Sequence, residues 1–124
     1  IAYAQVCAGD SHTVLLRSDG SAVAVGDNSL RQCVIPPLDE GIAYAQVSAG
    51  ACHTVFLRSD GIAVCTGTLE HFEGAQRAGL EIIVAGDGHT VGITRDGTAV
   101  CGGFNHGGMQ YSCPAGWSDL QHFL

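Results

Sequence analysis

Three histidines are the residues of this sequence whose type and spacing could do chemistry. His12, His53 and His89 each follow a glycine by three residues, and each precedes an aspartate-glycine pair by seven. Imidazole is a common metal ligand and a general base, so a metal trio or a His–Asp acid–base pair is the first hypothesis. The three aspartates of the pattern are Asp19, Asp60 and Asp96.

The spacing argues against catalysis within one copy. Seven residues of extended chain cover roughly 20 Å, which puts the histidine and aspartate of a copy at opposite ends of a strand. Asp-Gly between two strands is typical of a tight turn, because glycine accepts a positive φ and aspartate caps the turn locally. We therefore expect a turn at each aspartate. We expect each histidine to hydrogen-bond backbone groups of its own or the neighbouring unit. We predict no enzyme activity, no metal and no cofactor.

Composition limits the class of partner. The net charge is −7 with only five Lys plus Arg, which disfavours nucleic acid and anionic membrane. No apolar run approaches the roughly 20 residues of a membrane span. Eighteen glycines and 46% hydrophobic residues indicate short strands and many turns. The chain begins without a methionine or a signal-like segment, so we expect it to be a piece of a longer protein.

The six cysteines indicate free thiols rather than zinc ligands or disulfides. They include no C-x-x-C pair. In the repeated copies, serine, alanine, valine and glycine stand at cysteine positions, as is typical of a small core residue. This pattern predicts a reducing compartment, the cytoplasm or the nucleus. The cysteines are Cys7, Cys33, Cys52, Cys65, Cys101 and Cys113.

An internal repeat organises the whole chain. Residues 1–26 match residues 42–67 at 19 of 26 positions, and a looser third copy begins near residue 78. Such a period of about 40 residues is typical of stacked supersecondary units. We divide the chain into copies 1–41, 42–77 and 78–115, with the start of a fourth copy at 116–124.

Within a copy the hydrophobic pattern has a period of two. It predicts strands at 3–9, 12–17 and 22–26, and a fourth at 32–35 before two prolines. The only helix candidate is 69–77, which contains a glycine. The prediction is an all-β fold of β-propeller-type repeats, about three four-stranded antiparallel blades of an incomplete or larger propeller.

The copies resemble the repeat of the regulator of chromosome condensation family. The first copy carries the family's A-G-x-x-H-[ST] element at residues 8–13, its D-G turn at 19–20 and its G-x-N-…-Q element at 26–32. Arg31 stands where the family usually has glycine, and the second connector lacks the Asn…Gln signature. The resemblance implies a propeller of about seven blades. Three copies cannot close that ring, so we expect contact with further repeats of the same chain or self-association.

The resemblance also implies a non-catalytic protein-interaction module. Modules of this family occur in ubiquitin ligases and in exchange factors for small GTPases, and the partner here is a protein of unknown identity. Rim arginines and the non-repeating connectors carry the binding candidates. Two alternatives are a secreted propeller resembling β-lactamase-inhibitory proteins and a histidine-dependent metal enzyme. The candidate binding residues are Arg17, Arg58, Arg95, Arg31, Phe72 and Tyr111.

Overall fold

The computed structural model describes residues 1–29, 31–51, 53–67, 79–86, 89–103 and 118–119. All regular structure in these ranges is β-strand, as expected for segments rich in Val, Ile, Thr and Leu with a period of two. The strands are β1 (Tyr3–Ala8), β2 (His12–Arg17), β3 (Ala22–Gly26), β4 (Tyr44–Ala49), β5 (His53–Arg58), β6 (Ala63–Gly67), β7 (Leu80–Ala85), β8 (His89–Thr94), β9 (Ala99–Gly103) and β10 (Ser118–Asp119).

The strands form three sheets, which we call blades 1, 2 and 3. Blade 1 is β1-β2-β3, blade 2 is β4-β5-β6, and blade 3 is β7-β8-β9 with β10 beside β9. The first three strands of every blade are antiparallel and have the same register, so that His12 pairs with Gly26 and His53 with Gly67. The repeat seen in the sequence is therefore a repeat of hydrogen-bonded sheets.

The predicted all-β propeller repeat is confirmed, but two details of the predicted four-stranded antiparallel blades are wrong. Residues 32–35 form a turn and an irregular segment instead of a strand. The Cys33 amide donates to the Asn28 side-chain oxygen at 2.9 Å. This local hydrogen bond takes the place of pairing with a neighbouring strand. In blade 3, β10 pairs with β9 in parallel. The helix candidate at 69–77 lies outside the described residues.

Each first strand carries an irregularity at the same place. The register shifts between Tyr3 and Gln5 in β1, and at the matching residues of β4 and β7. A bulge of this kind moves the side chains that follow to the opposite face of the sheet. Tyr44 and Val47, three residues apart, are consequently both buried in one apolar cluster.

The apolar core lies between blades. One cluster joins Val14 and Leu16 of blade 1 to Tyr44, Val47 and Phe56 of blade 2. A second cluster joins the other face of blade 2 to Leu80 and Ile83 of blade 3. The stacking of one blade on the next is thus the source of most apolar burial. Among the residues that the structure describes, no helix is long and apolar enough to span a membrane.

Candidate interaction surface

The first histidine of the repeated motif ties two blades together. His12 begins β2, its side chain is buried, and its Nε2 atom lies 2.9 Å from the Oγ1 atom of Thr54 in blade 2. The Thr54 hydroxyl in turn donates to the Gln32 carbonyl at 2.6 Å. The partner predicted for this histidine was a backbone group. The observed partner is a side chain of the next blade.

These bonds fix the tautomer of His12. The single hydroxyl proton of Thr54 goes to the Gln32 carbonyl, which cannot donate, so the Thr54 oxygen accepts from His12 Nε2–H. Burial lowers the pKa of His12 from its ordinary value of 6.5, against opposing contributions from the His53 backbone and from Asp27 and Asp10. A buried neutral imidazole with a donating Nε2 is a structural linker.

The same arrangement recurs between blades 2 and 3. His53 is fully buried, and its Nε2 atom lies 3.4 Å from the Thr90 Oγ1 atom. The glycine three residues before each histidine makes room for the ring. A Cβ at Gly9 would overlap the His12 ring and the Gly50 carbonyl, and a Cβ at Gly50 would overlap the His53 ring and the Gly86 carbonyl. Glycine and histidine thus form one packing unit.

The metal hypothesis finds no ligand cluster in the part of the chain that the structure describes. No group of three His, Cys, Asp or Glu side chains there could hold an ion. His12 and His53 each face a threonine of the following blade. Among the described cysteines, Cys7, Cys33 and Cys65 are free thiols, and burial raises the pKa of Cys65 to about 12. These thiols serve as small core and connector residues.

The aspartates of the motif cap turns, as predicted. Asp19 Oδ1 accepts from the Ser21 amide at 3.0 Å and from the Ser21 hydroxyl at 2.6 Å, and these bonds lower the pKa of Asp19. Asp96 Oδ1 likewise accepts from the Thr98 amide at 3.1 Å. The next residue has a positive φ in each turn, 85° at Gly20 and 87° at Gly97. Each histidine begins the strand whose far end leads into this turn.

The turn end of the blades also carries three arginines, which we call the arginine rim: Arg17, Arg58 and Arg95. Arg58 is largely buried and bidentate to Asp60, with its Nε and a terminal nitrogen 3.1 and 2.6 Å from the two carboxylate oxygens. This hydrogen bonding raises the pKa of Arg58 and lowers that of Asp60. Arg17 is partly exposed and Arg95 exposed, and neither makes an ion pair with a described residue.

The other predicted binding residues do not join this rim. Arg31 is exposed, with a φ of 65°, in the connector that leaves β3. The Asp27 amide there donates to the Ser11 carbonyl at 2.8 Å, which places the connector's start at the histidine end of blade 1. The rim and Arg31 thus lie at opposite ends of a blade. Phe72 and Tyr111 lie outside the described residues.

Comparison with known proteins identifies the repeat. The family model described as "Regulator of chromosome condensation (RCC1) repeat" matches residues 3–32 and 44–68, and these ranges contain the strands and motifs of blades 1 and 2. Blades 1 and 2 match the RCC1 repeat. No curated protein matches the chain by sequence.

Several solved structures share the fold of this chain. Prp20p from Saccharomyces cerevisiae is 19% identical over 82% of this chain and 33% of that chain, with a TM-score of 0.69. The ectodomain of the receptor kinase CR4 from Physcomitrella patens is 23% identical over 82% and 30%, with a TM-score of 0.68. Human WBSCR16 is 19% identical over 78% and 32%, with a TM-score of 0.64. The chain therefore spans about a third of these structures.

The sequence-based expectations missed a second link between consecutive blades. The Gln5 side chain donates to the Val47 carbonyl at 2.9 Å and accepts from the Val47 amide at 3.2 Å. Gln46 makes a similar two-bond contact on blade 3, but it donates to the Glu81 carbonyl at 2.8 Å and accepts from the Ile83 amide at 3.1 Å. We call this two-bond contact the glutamine clamp. A glutamine inside an apolar strand of both copies is the signal that could have indicated it.

Proposed function

We propose that the chain is a non-catalytic protein-interaction module and that its arginine rim contacts a protein partner. The observation that carries this proposal is a contrast between the side chains of the motif: the histidines and aspartates bond within the protein, whereas two of the arginines reach solvent. The histidines bind the threonine of the next blade, and the aspartates cap turns. Arg17 and Arg95 reach solvent without an ion pair among the described residues.

The chemistry of the rim favours an acidic site on the partner. Arginine offers a planar fork of donors that matches a carboxylate, and exposed arginines often become anchors when a partner covers them. Arg17 lies close enough to Asp19 to feel its charge, but the Asp19 carboxylate is already occupied by Ser21. Partner carboxylates would therefore find donors on Arg17 and Arg95.

We further propose that the module works within a larger protein of a reducing compartment, either the cytoplasm or the nucleus. Its span of about a third of the matched propellers supports a longer array. Prp20p, one of those propellers, binds Gsp1p and histones. An exchange-factor role toward a small GTPase is our first candidate. A targeting role in a ubiquitin ligase is the second candidate, and it rests on the family resemblance alone.

Binding to Gsp1p and to histones, measured by biolayer interferometry, tests this proposal. The double variant Arg17→Glu/Arg95→Glu removes the exposed rim cations, and Arg31→Glu makes the same kind of charge change at the other end of blade 1. We expect the double variant to weaken binding by about tenfold or more and Arg31→Glu to leave it unchanged.

The possible outcomes test the partner, the rim and the non-catalytic role separately. If neither Gsp1p nor histones bind, the exchange-factor candidate is wrong. Arg31→Glu changes the net charge by half as much as the double variant, so a loss of binding energy about half as large would mean that the interaction follows overall charge and that the rim proposal is wrong. Stoichiometric metal in the purified chain, together with activity that depends on His53, would contradict the non-catalytic role.

A further inference from the structure

The turn aspartates of blades 1 and 2 accept the same backbone donor. Asp19 Oδ1 accepts from the Ser21 amide at 3.0 Å, and Asp60 Oδ1 accepts from the Ile62 amide at 3.3 Å. In both turns the donor lies two residues after the aspartate. A carboxylate oxygen has two lone pairs, so each Oδ1 atom has room for one further strong donor. The second donor differs between the two turns.

A hydroxyl group fills the second site in blade 1. The Ser21 hydroxyl donates to Asp19 Oδ1 at 2.6 Å, and this bond is the main cause that lowers the pKa of Asp19. Arg17 ends β2, two residues before the aspartate. It makes no ion pair with a residue that the structure describes. The guanidinium of Arg17 is therefore not held by the nearest turn carboxylate.

A guanidinium group fills the same site in blade 2. Arg58 ends β5 as Arg17 ends β2. The Arg58 Nε atom donates to Asp60 Oδ1 at 3.1 Å, and a terminal nitrogen donates to Oδ2 at 2.6 Å. The side chain of Ile62 has no donor, so the second site on Oδ1 is open to the arginine. A bidentate pair needs a site on both carboxylate oxygens, and blade 2 provides it.

Blade 3 also fills the second site with a hydroxyl group. Thr94 stands at the register position of the arginine that ends the second strand of blades 1 and 2. Its hydroxyl donates to Asp96 Oδ1, which also accepts from the Thr98 amide. Arg95 lies one residue further along and is exposed. In all three turns Oδ1 thus takes one backbone amide and one side-chain donor.

From this competition we infer that Ser21 is a positioning residue, whose hydroxyl keeps Arg17 free to bind a carboxylate of a partner protein. Ser21 acts through Asp19 and needs no contact with the partner. The Arg58–Asp60 pair is the geometry that a partner carboxylate would take on the Arg17 fork. The use of Arg17 in recognition rests on the proposed function, whereas its freedom follows from the hydrogen bonds of Asp19.

The hydroxyl acts by removing a competitor for the arginine. Without a side-chain donor at position 21, Arg17 would pair with Asp19 as Arg58 pairs with Asp60. A partner would then have to break that pair before it could bind the guanidinium, and its apparent affinity would fall by the same factor. We expect an effect of about threefold, the size typical of an exposed ion pair.

Threonine and valine at position 21 provide an isosteric test. Ser21→Thr keeps the hydroxyl, whereas Ser21→Val has the same branched shape without it. The chain has five basic residues, all of them arginines, so each Nε–H signal can be assigned by NMR, and Arg17→Lys identifies the signal of Arg17. We expect the Arg17 Nε proton to exchange with water about threefold more slowly in Ser21→Val than in Ser21→Thr.

Position 62 provides the reverse test. Ile62→Thr supplies blade 2 with the hydroxyl that it lacks, and it should speed the exchange of the Arg58 Nε proton. Ile62→Val is the control of the same shape, and it should leave that exchange slow. Asp39, whose carboxylate lies 3.6 Å from Arg58, is present in both variants and does not affect the comparison.

Binding to Gsp1p and to histones, measured by biolayer interferometry, gives the consequence for the rim. We expect Ser21→Val to bind about threefold more weakly than Ser21→Thr. Equal exchange rates of the Arg17 Nε proton in these two variants overturn the inference, whether or not either protein binds. Slower exchange with unchanged affinity overturns the role of Ser21 in recognition. If neither protein binds, the proposed partner is wrong, and the exchange rates alone decide whether Ser21 frees Arg17.

Discussion

His12 of blade 1 donates its Nε2 proton to Thr54 of blade 2 across 2.9 Å, and Thr54 donates its own proton to the carbonyl of Gln32. A strand start, a neighbouring blade and a connector therefore meet in one chain of two hydrogen bonds. The motif that could have been an active site is the link that holds consecutive blades in register. Because all three groups are buried, the link is sensitive to the loss of any one of them.

Thr54→Val should destabilise the chain more than Thr54→Ser. Valine removes the hydroxyl and leaves the His12 donor and the Gln32 carbonyl without this partner, which costs about 1–3 kcal/mol. Serine keeps the hydroxyl and loses a methyl group, which costs about 1 kcal/mol. Urea unfolding of both variants measures the difference. Equal stabilities would mean that the hydroxyl carries no interaction and would contradict the link.

His12 should make stability fall as the pH is lowered. Its folded pKa lies below the ordinary value of 6.5, so the unfolded chain binds more protons than the folded chain below about pH 7. The contribution of His12 is present above the unfolded pKa and is lost as the pH falls through the folded pKa. The free energy of unfolding, measured from pH 7.5 down to about 5, should slope more steeply for the wild type than for His12→Asn.

The aspartates titrate below the pH range in which His12 changes the stability. Hydrogen bonds lower the pKa of Asp19, Asp27, Asp60 and Asp96 from an ordinary value of 3.8. Their stabilisation is lost only below about pH 4.5, in both the wild type and His12→Asn. Identical slopes of the two proteins between pH 7 and 5 would show that His12 does not titrate on unfolding.

Two turn glycines offer a matched pair of alanine substitutions. Gly20 and Gly97 have φ angles of 85° and 87°, so alanine strains each backbone by about 1–2 kcal/mol. At Gly20 the new methyl group would also press on the Ala43 side chain, whereas at Gly97 it would meet no atom within 4 Å. We expect Gly20→Ala to cost about 1–3 kcal/mol more than Gly97→Ala, because overpacking adds to the strain. Thermal or urea unfolding that ranks them equally would contradict the contact.

The thiols should be free and unequally reactive. Burial raises the pKa of Cys65 to about 12 and raises that of Cys33 as well, so little thiolate is present at neutral pH. We expect a thiol reagent at pH 8 to leave Cys65 unmodified in the folded chain and to count six thiols after unfolding without reductant. Fewer than six would instead favour disulfides and the secreted-inhibitor alternative.

Much of the fold could be predicted because its causes are local. The apolar alternation places β1, β2 and β3 within a residue of the observed bounds, and the Asp-Gly pairs specify turns through the positive φ that glycine accepts. The strand expected at 32–35 failed because the Asn28 side chain and the residues around it satisfy the backbone there. Hydrogen bonds of this kind compete with strand pairing, but they leave no hydrophobic periodicity in the sequence that would reveal them.

The candidate site was less predictable because its residues have the same sequence context and different surroundings. Arg17 and Arg58 end nearly identical strands, HTVLLR and HTVFLR, but Arg58 is held by Asp60 and Asp39 from its own turn and the connector, whereas Arg17 makes no ion pair in the described chain. The second residue after the aspartate decides much of this difference, because the Ser21 hydroxyl bonds Asp19, whereas Ile62 has no side-chain donor for Asp60. Gln5 and Gln46 carry no local signal of their role, because their partners are 42 and 37 residues away.

The sequence by itself determined the repeat, the strands and the turns, because period-two burial and glycine φ preferences act over a few residues. Only the tertiary structure decided which face each strand buries, because one irregularity in β1 and β4 reverses the side chains that follow. It also decided that Val47 is buried while Val6 is exposed. Both are the same residue in the same motif, and Val47 is buried because blade 1 packs against it.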